Sequence, residues 1–165
     1  MFYALVKLIS RYFLCLLGNT VITGQANIPR TGPVIIVANH ISLLDGLLLL
    51  AFWPRRVTFL SAAYLFKMTV VGAFLRAIGA GDELCPFRTG WAYLALKAGA
   101  PVLPVAIKGT GTALPAGALF PRRSKIYMQI GAPWTLEKVQ RPRREALAAL
   151  NMRLVSQMEQ MLNEI

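Results

Sequence analysis

Hydrophobic residues along the chain fall into short runs separated by Gly and Pro, with a period that switches between helix and strand. Phe2–Leu17 reads as a helix. Lys7, Ser10 and Arg11 form a narrow polar stripe at helical spacing, and Leu5, Leu8, Ile9, Tyr12, Phe13 and Leu16 form a wide apolar face. Gly18-Asn19 ends it, Thr20–Thr23 is a short strand, and Gly24–Gly32 is a polar connection containing Pro29. The β-branched run Val34–Val37, preceded by Thr31-Gly32-Pro33, predicts a buried strand. Leu43–Phe52 follows as a helix stopped by Pro54. Val57–Ser61 reads as a further core strand, and Tyr64–Lys67 and Val70–Ile78 as short helices with breaks at Gly72 and Gly79. These two apolar helices fit either ordinary core or the lining of an acyl-chain groove. Beyond the polar Asp82-Glu83, a helix starts at Thr89 or Gly90 and runs to Lys97, stopped by Gly99 and Pro101. Val102–Ile107 is a strand and Lys108–Pro121 a loop; Lys125–Ile130 is a last strand with Ile126, Met128 and Ile130 on one face. From Pro142 a helix carries Leu147, Leu150, Leu154, Met158 and Met161 as a packing stripe. Strands alternating with helices predict an α/β domain.

Composition adds a membrane to this picture. The 165 residues make one domain with a single core, and 56% of them are hydrophobic. No run reaches the roughly eighteen uncharged apolar residues of a spanning helix. Leu43–Trp53 is too short, and Lys67 and Arg76 interrupt Val57–Ala80. Excess apolar surface without a span predicts a protein that lies on a membrane. A net charge of +11 points the same way, since anionic headgroups attract each nearby Lys or Arg by about 1 kcal/mol. Nucleic acid is not the expected partner, because no nucleic-acid-binding motif is present and the aromatics lie inside apolar segments. The N-terminal stripe fits core packing, but an interfacial helix over residues 1–18, with Lys7 and Arg11 at headgroup level, is the preferred reading. A signal peptide would carry its charges earlier and end in a small-residue cleavage site. Residues 19–165 then form the α/β domain. Arg122, Arg123, Lys125, Lys138, Arg141, Arg143 and Arg144 concentrate charge late in the chain, as a solvated face or a membrane-facing rim. Cys15 and Cys85 have no metal or redox spacing and read as buried or half-buried thiols in a reducing compartment.

Candidate chemistry centres on one turn. His40, the only histidine, follows the Val34–Val37 strand, and Asp45 lies in the first turn of the next helix. A strand–turn–helix junction puts polar groups at the rim of a sheet, where α/β proteins bind ligands. There a carboxylate can orient an imidazole and favour the tautomer whose other nitrogen accepts a proton. A purely structural reading fits the same spacing. Ser42 and Asp45 match the S-x-x-D capping pattern, in which Asp45 does no more than satisfy backbone donors.

The segment Asn39-His40-Ile41-Ser42-Leu43-Leu44-Asp45-Gly46 resembles the N-H-x-x-x-x-D motif of the glycerolipid acyltransferases, the 1-acylglycerol-3-phosphate acyltransferase family. Pro86-Phe87-Arg88-Thr89-Gly90, followed by Ala95-Leu96-Lys97-Ala98-Gly99, is similar to the segment after that family's phosphate-binding motif. Ala100-Pro101-Val102-Leu103-Pro104-Val105-Ala106-Ile107 resembles its valine-proline strand. The likeness runs in order over about residues 20–135. It implies a single sheet of mostly parallel strands flanked by helices. It also implies acyl transfer from acyl-CoA or acyl-carrier protein to lysophosphatidate or a related lysolipid, by a membrane-associated protein at the cytoplasmic face. His40 would be the general base and Asp45 its orienting partner, with Asn39 and Arg88 at the substrate. No metal, cofactor or covalent intermediate is implied, and backbone N–H groups at the start of the Leu43 helix are the expected oxyanion donors.

The chain also departs from the family. Its middle arginine motif and its Phe-Pro-Glu-Gly-Thr-Arg motif are absent, and Arg76-Ala77-Ile78-Gly79-Ala80 runs directly into Gly81-Asp82-Glu83-Leu84-Cys85-Pro86. The domain therefore reads as shortened at residues 80–81. Arg88 is the nearest remaining cation for an acceptor phosphate, followed by Arg76 and Lys108. Three readings compete: a compact lysophosphatidate-type acyltransferase, an inactive acyltransferase-like membrane protein, and a basic peripheral binder of anionic lipid.

Overall fold

The computed structural model describes residues 2–59, 90–115 and 117–165. In chain order the elements are α1 (Phe2–Leu17), β1 (Thr20–Thr23), a 3-10 turn (Gln25–Asn27), β2 (Ile35–Ala38), α2 (Leu43–Phe52), α3 (Gly90–Ala98), β3 (Val102–Lys108), α4 (Thr110–Ala113), β4 (Ile126–Ile130) and α5 (Arg144–Glu164). One sheet runs in the order β1-β4-β3-β2. β1 pairs with β4 and β2 with β3 in parallel, while β3 and β4 are antiparallel. The sheet is therefore mixed, with two parallel pairings out of three, and helices flank it.

β3 is the centre because it is apolar on both sides. Every residue from Val102 to Ile107 is buried, which is why its sequence reads as a continuous run without alternation. Leu103, Val105 and Ile107 join Leu14 and Leu17 of α1, Leu44 and Leu48 of α2, and Ile126, Met128 and Ile130 of β4 in one cluster. Val102 and Ala106 face the other way, onto Ala95 of α3, Trp134, and Leu154, Met158 and Met161 of α5. The last three are the deepest part of the stripe predicted for that helix.

A proline in a central strand needs an explanation, because it removes a ladder donor. Pro104 stands where the β3–β4 ladder stops, at Val105↔Ile130, and its carbonyl accepts from Gly131 N–H at 2.9 Å. Pairing resumes at Val102↔Trp134 with one more residue on the β4 side than on β3. This bulge absorbs the missing donor.

The orientation of α1 reverses the expectation. Its polar stripe faces inward: Ser10 is buried with Leu14 and Leu17, the Lys7 ammonium donates to the Trp53 carbonyl, and Arg11 lies over the Phe52 ring at 5.4 Å. The physical reason lies in α2. Its C-terminal end offers free carbonyls and an aromatic face, both of which favour cations. Lys7 and Arg11 are thus held against α2 instead of standing at headgroup level. The apolar face of Phe2, Leu5, Leu8, Ile9, Tyr12 and Leu16 is exposed instead.

Other expectations need smaller corrections. Val57–Phe59 is irregular, with Val57 N–H bonded to the Tyr3 hydroxyl at 3.0 Å. The remainder of the strand predicted to Ser61 lies outside the described residues. So do the segments Tyr64–Lys67 and Val70–Ile78, the Ala80–Gly81 junction, Arg76, Cys85 and Arg88. Cys15 is exposed, not buried. The predicted Lys108–Pro121 loop contains the short helix α4. All seven late basic residues are exposed.

Candidate active site

The turn after β2 is held by side chains that substitute for backbone. Asn39 Nδ2 donates to the Ile107 carbonyl and Asn39 Oδ1 accepts from Ile107 N–H, both at 2.7 Å. The amide thereby adds one more rung to the β2–β3 pairing after β2 has ended, and pins the turn to the end of β3. Asn39 was expected at the substrate; two of its four hydrogen-bonding capacities are committed to Ile107.

Ser42 caps α2. Its hydroxyl accepts from Leu44 N–H at 3.3 Å and donates to the Leu114 carbonyl at 3.0 Å, while Asp45 completes a capping box. Asp45 Oδ2 accepts from Ser42 N–H and Ile41 N–H, both at 2.8 Å, and stands 3.0 Å from His40 Nδ1. The structural and chemical readings of the spacing therefore hold together, on one oxygen atom. A carboxylate oxygen only accepts, so the partner assigns the proton to Nδ1 and leaves the Nε2 lone pair free. The His40 side chain is 66% exposed and that of Asp45 is 3% exposed. An accessible base is backed by a buried acid.

The electrostatics follow from this geometry. The hydrogen bond to Asp45 raises the His40 pKa above its ordinary 6.5, against burial, with the carboxylate charge adding to the rise. For Asp45, burial is the largest single influence and pushes upward, but bonds from His40, Thr110, Ser42 and Ile41 together outweigh it, and its pKa ends below 3.8.

The start of α2 does not supply the expected oxyanion donors as a set. Ile41 and Ser42 N–H go to Asp45 Oδ2, Leu44 N–H to Ser42 Oγ and Asp45 N–H to the Ser42 carbonyl. The capping box consumes those donors.

A cavity of about 620 Å³ adjoins the turn, lined by Asn39, Ile41, Ile107, Lys108 and Thr112 among others. Lys108 reaches the end of α5, donating to the Leu162 carbonyl at 3.3 Å and to the Ile165 carbonyl. A separate cleft of about 350 Å³ among β1, β4 and α5 contains neither His40 nor Asp45. No group of three His, Cys, Asp or Glu side chains assembles a metal site among the described residues.

Sequence reasoning missed Thr110. It is fully buried at the start of α4, and its hydroxyl contributes to lowering the Asp45 pKa. The available signal was its position: a polar residue just past the C-terminal end of a core strand, on the same rim as His40. Gly109 makes that placement possible. Its φ is +92°, and an added Cβ would stand 2.0 Å from the Lys125 carbonyl oxygen, so only glycine fits.

The family model for Acyltransferase matches residues 19–81, the segment that carries Asn39, His40 and Asp45. No curated protein matches the chain. Among solved structures, the 1-acyl-sn-glycerophosphate (LPA) acyltransferase PlsC from Thermotoga maritima is similar at a TM-score of 0.76 and 22% identity, over 98% of this chain and 78% of that one. The matched segment bears the His–Asp turn and the whole described fold follows the acyltransferase pattern, so the chain belongs to the glycerolipid acyltransferase family.

Proposed function

We propose that the protein moves an acyl chain from a thioester, acyl-CoA or acyl-carrier protein, to a hydroxyl of lysophosphatidate or a related lysolipid at the cytoplasmic face of a membrane. The observation that carries this reading is the free Nε2 edge of His40, with Nδ1 held by a buried carboxylate beside a cavity. Nε2 takes the acceptor hydroxyl proton as the oxygen attacks the thioester carbonyl. The tetrahedral intermediate collapses, the C–S bond breaks, and the leaving thiolate recovers the proton from the imidazolium. Asp45 stabilises that imidazolium while it exists. The step as written needs no cofactor beyond the donor and no covalent bond to the enzyme.

The acceptor class is supported by the printed activity of the Thermotoga maritima protein on 1-acyl-sn-glycerophosphate. Arg88 and the second Nδ2 hydrogen of Asn39 are the proposed contacts to it. The family-model match ends at residue 81, next to the junction where the two motifs are missing. That supports a second reading, an acyltransferase-like peripheral membrane protein without turnover, and predicts weak use of phosphate-bearing acceptors.

Docking on anionic lipid is supported by two features. One is the outward apolar face of α1; the other is Leu119 and Phe120, 88% and 81% exposed, next to exposed Arg122 and Arg123. Apolar side chains flanked by cations suit a headgroup interface. No helix among the described residues is long and apolar enough to cross a membrane.

Purified protein given labelled acyl-CoA with lysophosphatidate, or with the phosphate-free monoacylglycerol, tests the reading. Labelled ester on either acceptor supports acyl transfer. Folded, vesicle-bound protein that makes no ester with any lysolipid from either donor would establish the inactive reading instead.

A further inference from the structure

Asp45 is unevenly used. Oδ2 takes three N–H contacts, from His40, Ile41 and Ser42, while Oδ1 is buried without a hydrogen bond of full geometry. The Thr110 hydroxyl is also buried without a partner of full geometry. α4, which begins at Thr110, packs on α2, which carries Asp45. Two orphaned polar atoms buried in contacting elements are costly apart and complementary together, since a hydroxyl donates and a carboxylate accepts.

From this pairing we infer that Thr110 is a positioning residue for the acyl-transfer site: its hydroxyl donates to Asp45 Oδ1 and fixes the carboxylate so that Oδ2 stays on His40. The inference rests on the proposed function for its catalytic meaning. The downward pull of Thr110 on the Asp45 pKa agrees with it. His40 is the only ion-pair partner of Asp45 among the described residues, so no other charge obscures the effect.

The same segment braces the turn at two more points, the Ile107 backbone on Asn39 and the Leu114 carbonyl on Ser42. Residues 107–114 therefore act as a strap behind the His–Asp turn, and Thr110 is the part of it that reaches the carboxylate. Because that strap begins at the end of β3, the sheet itself sets the angle of the imidazole.

The test is Thr110→Val, which keeps the shape and removes the hydroxyl, beside Thr110→Ser, which keeps the hydroxyl. Carbon-13 NMR of the Asp45 carboxyl should show its titration midpoint rise by roughly one pH unit in the valine protein and stay low in the serine protein. Where turnover is measurable, kcat should fall roughly threefold to tenfold in the valine protein with KM unchanged, and recover in the serine protein. An Asp45 titration identical in wild type and Thr110→Val overturns the inference. If the valine protein does not fold, the wild-type Thr110 hydroxyl proton decides: it should be protected from exchange while Asp45 is ionised, and free exchange overturns the inference. The NMR readouts do not need turnover, so a protein without activity still tests Thr110, while loss of the acyl-transfer reading shows separately as absent ester.

Discussion

His40→Ala and Asp45→Asn take one pair apart from opposite ends, and the geometry separates their effects. The His40 ring is largely exposed, so its removal should leave the fold intact and cut turnover by about 10²–10⁴, the range of a positioned general base. Asp45→Asn loses the charge that two backbone N–H groups and His40 share, at a cost of about 1–3 kcal/mol in stability. It should also bring the His40 pKa down toward 6.5. Because the chain has one histidine, a single imidazole resonance reports this by NMR. The signs run in opposite directions for stability and activity. The raised His40 pKa gives stabilisation that is fully present below about 6.5 and is lost as pH rises through the folded value. Asp45, with its pKa lowered, contributes stabilisation present above about 3.8 and lost as pH falls through its folded value. A general base must be neutral, so kcat/KM should climb with pH and reach half its plateau above 6.5. A midpoint at or below 6.5 would contradict the orienting role of Asp45. His40 and Asp45 could be read from sequence because they are local to one turn. The atoms that brace the turn, Ile107 and Leu114, are 68 and 72 positions away from the residues they hold, a distance that no short motif spans.

Elements were legible where their period was long. α1, β1 and α2 fall on their predicted residues, and the alternation of Ile126, Met128 and Ile130 is the buried face of β4. α4 was not legible, because four residues are too few to show a period and its start depends on the left-handed Gly109. The orientation of α1 was misread for a different reason. Periodicity separates two stripes but does not say which faces inward, and Trp53 and Phe52 of another element decided it. This predicts a contrast between two helices. Leu48→Ala, at a fully buried position of α2, should cost about 2–5 kcal/mol in chemical denaturation. Leu8→Asp, at a 65% exposed position of α1, should change stability by no more than about 0.5 kcal/mol, yet weaken sedimentation with lipid vesicles. A large loss of stability from Leu8→Asp with unchanged vesicle binding would mean that the face is covered by protein.

At the scale of the whole molecule, one mixed sheet carries the turn at its rim, and a net charge of +11 surrounds it. The fold class was readable from alternating elements and from three family-like stretches. The antiparallel β3–β4 pair was not, since strand direction depends on where the connection returns. Charge and exposed apolar face together predict binding to vesicles containing anionic lipid, partly released by salt as screening shortens the electrostatic reach to about 8 Å at physiological ionic strength. Equal binding to neutral vesicles, unaffected by removing residues 1–17, would contradict it. Inserting the missing segment of a relative between Ala80 and Gly81 should raise turnover on phosphate-bearing acceptors, since each charge-assisted contact restored is worth about 1.5–3 kcal/mol. The central claim, that the His40–Asp45 pair transfers acyl groups, is tested most directly by single-turnover transfer from labelled acyl-CoA to lysolipid, comparing wild type with His40→Ala at equal vesicle binding. Ester formed by the wild type and reduced at least a hundredfold in the alanine protein is the result expected of a general base. Equal ester formation by the two proteins would contradict it.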